Sequence, residues 1–365
     1  MGKIEDQIRE LEDEIHRTPL NKATEHHIGK LKARLAKLRE KLERGPGTGA
    51  ARGYGIRKSG NATVGIVGLP NVGKSTLLNR LTDAESEVGD YDFTTLNVIP
   101  GVMHYRGAKF QLFDMPGLID GAAHGRGRGR EVLSVARSSD LILLTVDVGE
   151  WDVDLLVNEL EAGGIRLNQT PPEVSIKFKD RGGLTISSTK KLTHLEEGVI
   201  EGMLREWGYV NADVIVKEDI TESRLIDFLA GNKAYMPAFV VLNKVDLASG
   251  KEMDLIMRRL KGWKVVPISA LNGEGLDELR EAIFSELEFM RIYMKPQGGE
   301  VDYSEPLVVK HGSTVGMVCD AIHRDFRGKF RYACVWGDSA KFPGQTVGLG
   351  HVLRDKDVLT IVVQR

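Results

Sequence analysis

Cysteine is scarce in this sequence, and long apolar runs are absent. The 365 residues include only two cysteines, Cys319 and Cys334, and neither belongs to a CxxC pair. This argues against a zinc site or a disulfide framework and favours two core thiols in a reducing compartment. The N-terminus has no apolar signal region, and no run of about 18 apolar residues follows. We therefore predict a cytoplasmic protein with no membrane span.

An excess of one charge is also lacking, since 50 Lys and Arg face 52 Asp and Glu for a formal net charge of −2. This balance excludes a uniformly basic nucleic-acid-binding protein, although local asymmetry remains possible. Residues 1–60 are predicted to form a basic helical hairpin and linker, because apolar residues recur at helical spacing on both sides of Pro19. The cations of its second half are Lys22, Lys30, Lys32, Arg34, Lys37, Arg39, Lys41, Arg44, Arg52, Arg57 and Lys58. They form either a solvated helix face or a nucleic-acid contact.

From residue 61 the pattern alternates between short apolar strands and helices. Strands are expected at 62–67, 109–113, 141–146, 238–242 and 264–267. This alternation predicts an α/β fold with a mostly parallel, doubly wound sheet covered on both faces.

The sequence divides this α/β region further. We assign 61–289 to the main domain and 165–235 to an α+β subdomain inserted in it, because the interval is too long for a simple connection. A helix is expected at 275–289, and residues 290–365 read as a separate small α+β module.

A phosphate-binding loop follows the first strand. Residues 68–75 read GLPNVGKS, which matches GxxxxGK[ST] between a strand and a helix. Backbone N–H groups of such a loop converge on phosphate oxygens at a helix N-terminus. Lys74 is predicted to reach the β- and γ-phosphates, and the Ser75 hydroxyl to bind Mg²⁺. The predicted nucleotide contacts of this loop are Gly68, Leu69, Pro70, Asn71, Val72, Gly73, Lys74, Ser75 and Thr76.

Two further elements are predicted to respond to the γ-phosphate. In DMPG, Asp114 is expected to reach Mg²⁺ through water, and the Gly117 amide to contact the γ-phosphate. In FTT, at Phe93, Thr94 and Thr95, we favour Thr95 over Thr94 as the threonine that closes on Mg²⁺; a simple Thr-rich turn is the alternative.

The base-reading elements come last in the chain. Asn243, Lys244 and Asp246 belong to NKVD, in which the Asp246 carboxylate can accept from both N1–H and the N2 amino group of guanine. Adenine offers no such pair of donors, so ATP would leave these oxygens unpaired. Ser269, Ala270 and Leu271 are predicted to contact the guanine O6 through the backbone. The four elements in this order predict a GTP site.

The segments GLPNVGKS, YDFTTLNVIPG, DMPGLIDGAAHGRGRGR, NKVD and SAL together resemble the developmentally regulated GTP-binding (Drg) family, among the Obg-related translation GTPases. The resemblance covers nearly the whole chain. It implies a P-loop NTPase G domain, a C-terminal β-grasp (TGS) domain, and GTP hydrolysis as a switch. Lys74, Thr95 and Gly117 would be its catalytic groups. The implied partners are GTP, the ribosome with its rRNA or tRNA, and a small regulatory protein.

Two positions bear on the mechanism. Leu118 stands where Ras-like enzymes place a water-orienting Gln, so hydrolysis must be slow or use another group. Asn71 occupies the position that ligates a monovalent cation in potassium-activated relatives. We hypothesise a K⁺-stimulated GTPase with Asn71 as the K⁺ ligand; the alternative is that Asn71 only shapes the loop.

A binding protein in which hydrolysis is incidental is the competing interpretation of the whole chain. The hairpin and the C-terminal module would then contact RNA or the ribosome, and GTP would stabilise the fold. The C-terminal module shows no obvious aromatic platform for single strands, since Tyr332 and Trp336 fit a core equally well.

Overall fold

The computed structural model describes residues 3–19, 21–22, 24–44, 60–82, 99–115 and 128–364. Its first elements are α1 (Lys3–Arg17), α2 (Glu25–Arg44), β1 (Ala62–Gly68), α3 (Lys74–Leu81), β2 (Ile99–Tyr105), β3 (Ala108–Asp114), α4 (Arg128–Ser138), β4 (Leu141–Asp147), α5 (Val153–Ala162) and β5 (Ile165–Leu167). The middle of the chain adds β6 (Val174–Phe178), β7 (Leu184–Ser188), α6 (Glu197–Glu206), β8 (Ala212–Val216), α7 (Glu222–Ala230), β9 (Ala234–Met236), β10 (Ala238–Asn243), α8 (Gly250–Arg259), β11 (Val265–Pro267) and α9 (Leu276–Glu286). The last elements are β12 (Phe289–Met294), β13 (Leu307–Lys310), α10 (Val315–Ile322), α11 (Arg324–Gly328), β14 (Phe330–Trp336), β15 (Gln345–Val347) and β16 (Val358–Val363).

The chain forms two compact units. One contains Met1–Gly53 and Gln169–Tyr235, and the other contains Tyr54–Asn168 and Met236–Arg365. None of the helices in the described ranges is both long and apolar enough to cross a membrane.

A six-stranded sheet in the order β11-β10-β4-β1-β3-β2 organises the larger unit. Neighbouring strands from β11 to β3 pair in parallel, whereas β2 pairs antiparallel with β3 at the edge. All residues of β1, β4 and β10 are buried, as expected for parallel strands covered on both faces. The sequence did not predict β2, because Pro100 and Gly101 argue against a strand. An edge position tolerates both residues.

The C-terminal module has a five-stranded sheet in the order β13-β12-β16-β14-β15. Helix α10 packs on one face, where Val318 and the free thiol Cys319 join the core. Cys334 is a half-buried free thiol outside that core, so only one of the two thiols is a core residue as expected.

The helix predicted at 275–289 is longer than the observed α9, which ends at Glu286. Glu288 has a positive φ of 52°, which ends the helical path before β12 begins.

The smaller unit combines the hairpin with the insertion. The three-stranded sheet β6-β8-β7 packs on α6 and α7, and Ala33 of α2 is fully buried in the same hydrophobic cluster. Lys32 Nζ donates to Glu222 Oε2 of α7 at 2.6 Å, and Lys37 Nζ donates to the Glu206 carbonyl at 2.8 Å. The hairpin and the insertion, which the sequence suggested as separate segments, therefore share one core.

Candidate nucleotide site

The loop between β1 and α3 has the backbone of an anion cradle. Asn71 and Gly73 adopt positive φ values of 64° and 93°, and Gly73 is the residue before the first turn of α3. A Cβ on Gly73 would lie 2.4 Å from Asn243 Nδ2, so this position requires glycine. The first N–H groups of a helix have no intrahelical acceptor and favour an anion. Here they open toward the carboxyl ends of the parallel strands, where ligands of such sheets bind.

Lys74 lies over this loop. Its Nζ donates to the carbonyls of Gly68 and Leu69 at 3.0 and 2.8 Å. Burial lowers the pKa of Lys74 below its ordinary value, and the nearby Asp114 carboxylate opposes that shift. The ammonium is thus held at the mouth of the loop. Of the remaining loop residues, Val72 is fully buried, while Pro70, Ser75 and Thr76 are exposed.

Ser75 and Asp114, the two residues of this region predicted to hold Mg²⁺, lie in contact. Ser75 Oγ donates to Asp114 Oδ2 at 2.8 Å, and Asp114 is 3% exposed at the end of β3. Its other oxygen, Oδ1, is buried without a hydrogen-bond partner among the described residues. A hydroxyl and a carboxylate with an unpaired oxygen are the oxygen ligands that a hydrated Mg²⁺ accepts. These two residues therefore fit Mg²⁺.

Asn243 connects the phosphate loop to the base-reading loops. It is 2% exposed; its Nδ2 donates to the Val72 carbonyl at 2.8 Å, and its Oδ1 accepts from the Ala270 N–H at 3.0 Å. One buried side chain thus fixes the end of β10 to two loops that are far apart in sequence. The loop predicted to bind phosphates is thereby tied to the loop predicted to contact the base.

Lys244 and Asp147 form a second connection, and sequence reasoning missed Asp147. Lys244 Nζ donates to the Asn71 carbonyl at 2.8 Å and to Asp147 Oδ2 at 2.5 Å. Burial alone would raise the pKa of Asp147, but hydrogen bonds from Lys244 and from two backbone N–H groups hold that pKa below its ordinary value. Asp147 is the last residue of β4 and pairs in register with Asn243, the last residue of the neighbouring β10, a relation that the sequence alone does not show.

The remaining base-reading residues lie at the same end of the sheet. Asp246 is exposed in a 3₁₀ turn, Val245–Leu247, and the Val245 N–H donates to the Ile268 carbonyl at 3.2 Å. Ser269 is fully buried, and its Oγ accepts from the Asn272 N–H at 3.2 Å. Leu271 is 70% exposed, while its carbonyl accepts from Arg80 at 2.6 Å. The structure thus brings NKVD and SAL together beside the phosphate loop.

Some predicted site residues lie outside the described residues. Phe93, Thr94 and Thr95 fall within 83–98, and Gly117 and Leu118 fall within 116–127. Within the described ranges, no group of three or more His, Cys, Asp or Glu side chains forms a metal site.

Several cations of the basic hairpin are paired within the smaller unit. Lys22 lies 3.2 Å from Glu196, and Arg39 lies 2.7 Å from Glu12, in addition to the Lys32 and Lys37 contacts above. The acid partners Glu196, Glu12 and Glu222 reduce the positive charge that the hairpin offers to a nucleic acid, whereas the partner of Lys37 is a backbone carbonyl.

Comparison with known proteins decides the family. Residues 63–176 match the family described as 50S ribosome-binding GTPase, 181–289 match the C-terminal region of that domain, and 290–363 match the TGS domain. An uncharacterised GTP-binding protein of Methanocaldococcus jannaschii is 53% identical, over 99% of this chain and 93% of its own. The chain belongs to this family of TGS-containing GTP-binding proteins.

Two named relatives align along their whole length. Developmentally-regulated GTP-binding protein 1 of Xenopus laevis is 45% identical over 97% of this chain and 98% of its own. Ribosome-interacting GTPase 1 of Saccharomyces cerevisiae is 44% identical over 99% of this chain and 100% of its own. The P-loop G domain and the TGS domain expected from the sequence are therefore confirmed.

Proposed function

We propose that this GTP-binding protein hydrolyses GTP to GDP and phosphate as a Mg²⁺-dependent switch. The observation that carries the proposal is the buried Asn243 side chain, which joins the phosphate loop to the base-reading loop. A site in which base and phosphates are positioned by one framework places the γ-phosphate beside Lys74 only when the correct base is bound.

Each residue has an assigned task. Lys74 moves from its loop carbonyls to the β- and γ-phosphate oxygens, where its charge offsets the charge that develops on the transferring phosphoryl group. Ser75 and Asp114 hold Mg²⁺, Asp114 through water. When bound, the metal would supply positive charge that offsets the charge of the phosphates. Thr95 and the Gly117 amide complete the site around the γ-phosphate and respond to its loss.

Guanine recognition is assigned to the loops after β10 and β11. Asp246 accepts from N1–H and the N2 amino group, while the backbone of 269–271 donates to O6. The Ala270 N–H already bonds to Asn243, so Leu271 is the donor of this segment that we assign to the base.

A monovalent cation is the proposed source of extra positive charge beside the phosphates, because Leu118 cannot orient water as the Gln of Ras-like enzymes does. We assign Asn71 as the K⁺ ligand, because its side chain is exposed at the loop while its carbonyl is fixed by Lys244.

Asn71→Gly is the sharpest test, since glycine keeps the positive φ and removes only the side-chain amide. We expect faster phosphate release in K⁺ than in Na⁺ for the wild type, and equal rates for Asn71→Gly with GDP affinity retained. Equal wild-type rates in both salts would refute the K⁺ role alone.

Lys74→Ala separates a switch from a binding protein that hydrolyses GTP incidentally. A switch requires that this variant lose both phosphate release and function while its fold and RNA affinity persist. Retention of function without hydrolysis would support the alternative, an RNA- or ribosome-binding module that GTP stabilises.

The proposed cellular partner is the ribosome, so that the protein works in the cytoplasm and influences translation. The name of the yeast relative and the family description support this, and the full-length identity to the Xenopus relative favours the developmentally regulated type. Cosedimentation with ribosomes, with a non-hydrolysable GTP analogue or GDP, tests the proposal. Absence of the protein from the ribosome pellet with both the GTP analogue and GDP would refute it.

A small regulatory protein is the second proposed partner. The same sedimentation, run with and without a candidate partner, measures whether one binds.

A further inference from the structure

The loop after β11, residues 269–275, carries the N–H that we assign to guanine O6. The loop closes on itself, because the Ser269 N–H donates to the Glu274 carbonyl at 3.0 Å and the Gly273 N–H donates to the Ser269 carbonyl at 2.8 Å. Among its first five residues, only the Leu271 N–H has no acceptor in the described part of the chain. This donor is therefore available to a ligand.

Two side chains hold the backbone on either side of this donor. Asn243 Oδ1 accepts from the Ala270 N–H at 3.0 Å, and Arg80 Nη2 donates to the Leu271 carbonyl at 2.6 Å. The Ala270 N–H belongs to the peptide unit that precedes the unit of the Leu271 N–H, and the Leu271 carbonyl belongs to the unit that follows it. Because each peptide unit is planar, holding both neighbours restricts the direction of the N–H between them.

Arg80 belongs to the helix that begins at the phosphate loop. Helix α3 starts with Lys74 and Ser75 and has Arg80 in its last turn. The Arg80 carbonyl accepts from Arg280 Nη2 of α9 at 3.0 Å, and Arg280 Nη1 lies 2.7 Å from Asp277 Oδ1. A helix end leaves such carbonyls without intrahelical partners, so this contact fixes the end of α3 to α9. The Arg80 side chain then extends from a fixed point to the base-reading loop.

The contact between Arg80 and Leu271 lies where it adds little to folding stability. Arg80 is exposed, and Leu271 is 70% exposed, so water can replace the hydrogen bond in the unfolded chain and competes with it in the folded one. The same exposure means that apolar packing does not fix the conformation of Leu271. The direction of the Leu271 N–H therefore depends on hydrogen bonds, and the bond from Arg80 is the one that follows it in the chain.

We propose that Arg80 is a positioning residue for guanine recognition. It acts through the Leu271 carbonyl and keeps the Leu271 N–H directed at O6. Because α3 also carries Lys74 and Ser75, the helix that contacts phosphate and Mg²⁺ then helps to place the base as well. Asn243 makes the first such connection, and Arg80 makes a second at the far end of α3. This inference rests on the proposed function, in which Leu271 is assigned to the base, and it adds a residue that none of the sequence motifs contains.

The test is a competition titration of the full chain against a fluorescent GDP analogue, with GDP and with 6-thio-GDP. The second nucleotide keeps N1–H and the N2 amino group but replaces O6 by sulfur, a weaker hydrogen-bond acceptor. Arg80→Met keeps the apolar stem and removes the donor, and we expect about fivefold weaker binding of GDP. Affinity for 6-thio-GDP should fall by less than about twofold, because the contact through which Arg80 acts is already weakened.

Two further variants control for charge and for local structure. The contact with Leu271 uses a single N–H, so Arg80→Lys can still donate to the carbonyl and should bind GDP within about twofold of the wild type. Arg258 is exposed in the last turn of α8, as Arg80 is in the last turn of α3, and its side chain has no partner among the described residues. Arg258→Met removes the same charge and should leave both affinities unchanged.

The two nucleotides distinguish positioning from a general structural role. A loss for GDP that exceeds the loss for 6-thio-GDP in Arg80→Met, with recovery in Arg80→Lys, supports the proposal. Equal losses for the two nucleotides overturn it, as does wild-type GDP affinity in Arg80→Met. Phosphate release from GTP by the wild type tests the proposed hydrolysis separately, because neither diphosphate carries a γ-phosphate.

Discussion

Asn243→Ala tests the connection on which the nucleotide site depends. The Asn243 side chain bonds to the Val72 carbonyl and the Ala270 N–H, and these two residues are 0% and 1% exposed. An unpaired buried backbone group costs ~1–3 kcal/mol, so we expect a loss of about 2–4 kcal/mol in the free energy of unfolding of the larger unit. The bound nucleotide still requires both loops in place. In the variant, nucleotide binding must supply part of the free energy that orders these two loops. GDP affinity should therefore fall about 10- to 100-fold.

Asn168→Ala is the matched control. Asn168 also bridges backbone groups, since its side chain accepts from the Ala238 N–H at 2.7 Å and donates to the Ala238 carbonyl at 2.9 Å. It belongs to the same unit but lies at the start of β10, away from the loops that follow that strand. Urea unfolding measures stability, and titration with a fluorescent GDP analogue measures affinity. We expect Asn168→Ala to lose stability and keep affinity. Equal loss of affinity in both variants, or wild-type affinity in Asn243→Ala, would refute the reasoning.

Three further changes follow from contacts at or near the site. Asp147 has a lowered pKa, so its stabilisation is present above its ordinary pKa and lost as pH falls through the lower folded-state value. Asp147→Asn should therefore cost about 1–2 kcal/mol at pH 7, discounted because Lys244 is 36% exposed. The difference from the wild type in urea unfolding should narrow as pH falls below the ordinary carboxyl pKa. Gly73→Ala should abolish GDP binding in the same titration, because its Cβ would meet Asn243 at 2.4 Å and its φ is 93°. Glu281→Ala removes hydrogen bonds to the β2–β3 turn at 2.8 and 3.0 Å; a drop of about 1 kcal/mol in urea unfolding is expected, with unchanged GDP affinity.

The sequence specified most of the G domain because its signals are local. The succession of a strand, a glycine-rich loop and a helix predicted where Gly73 and Lys74 lie, between β1 and α3. The sequence assigned Ser75 and Asp114 to Mg²⁺, and in the structure their side chains share a hydrogen bond. Asp147 was missed because its role arises from strand register, which brings the ends of β4 and β10 together although 95 residues or more separate them in the chain.

Other failures have the same physical origin. The shared core of the hairpin and the insertion depends on Ala33, a small residue whose burial no periodicity reveals. Tyr332 and Trp336 lie outside the core beneath α10, to which Ala333 and Val335 of the same strand belong. This sidedness could not be predicted either, since alternation shows which residues share a face but not which face α10 covers. Tertiary contacts decide both.

The most direct test of the central claim compares GTP with ATP in Mg²⁺. Affinity is measured by competition with the fluorescent GDP analogue, and turnover by phosphate release from a single load of nucleotide, for the wild type and Asp246→Asn. The account predicts GTP binding at least about 100-fold tighter than ATP binding, release of phosphate from GTP, and a shift of Asp246→Asn toward xanthosine triphosphate, whose O2 can accept from the new amide. Equal affinity for GTP and ATP, with no effect of the Asp246 change, would contradict it.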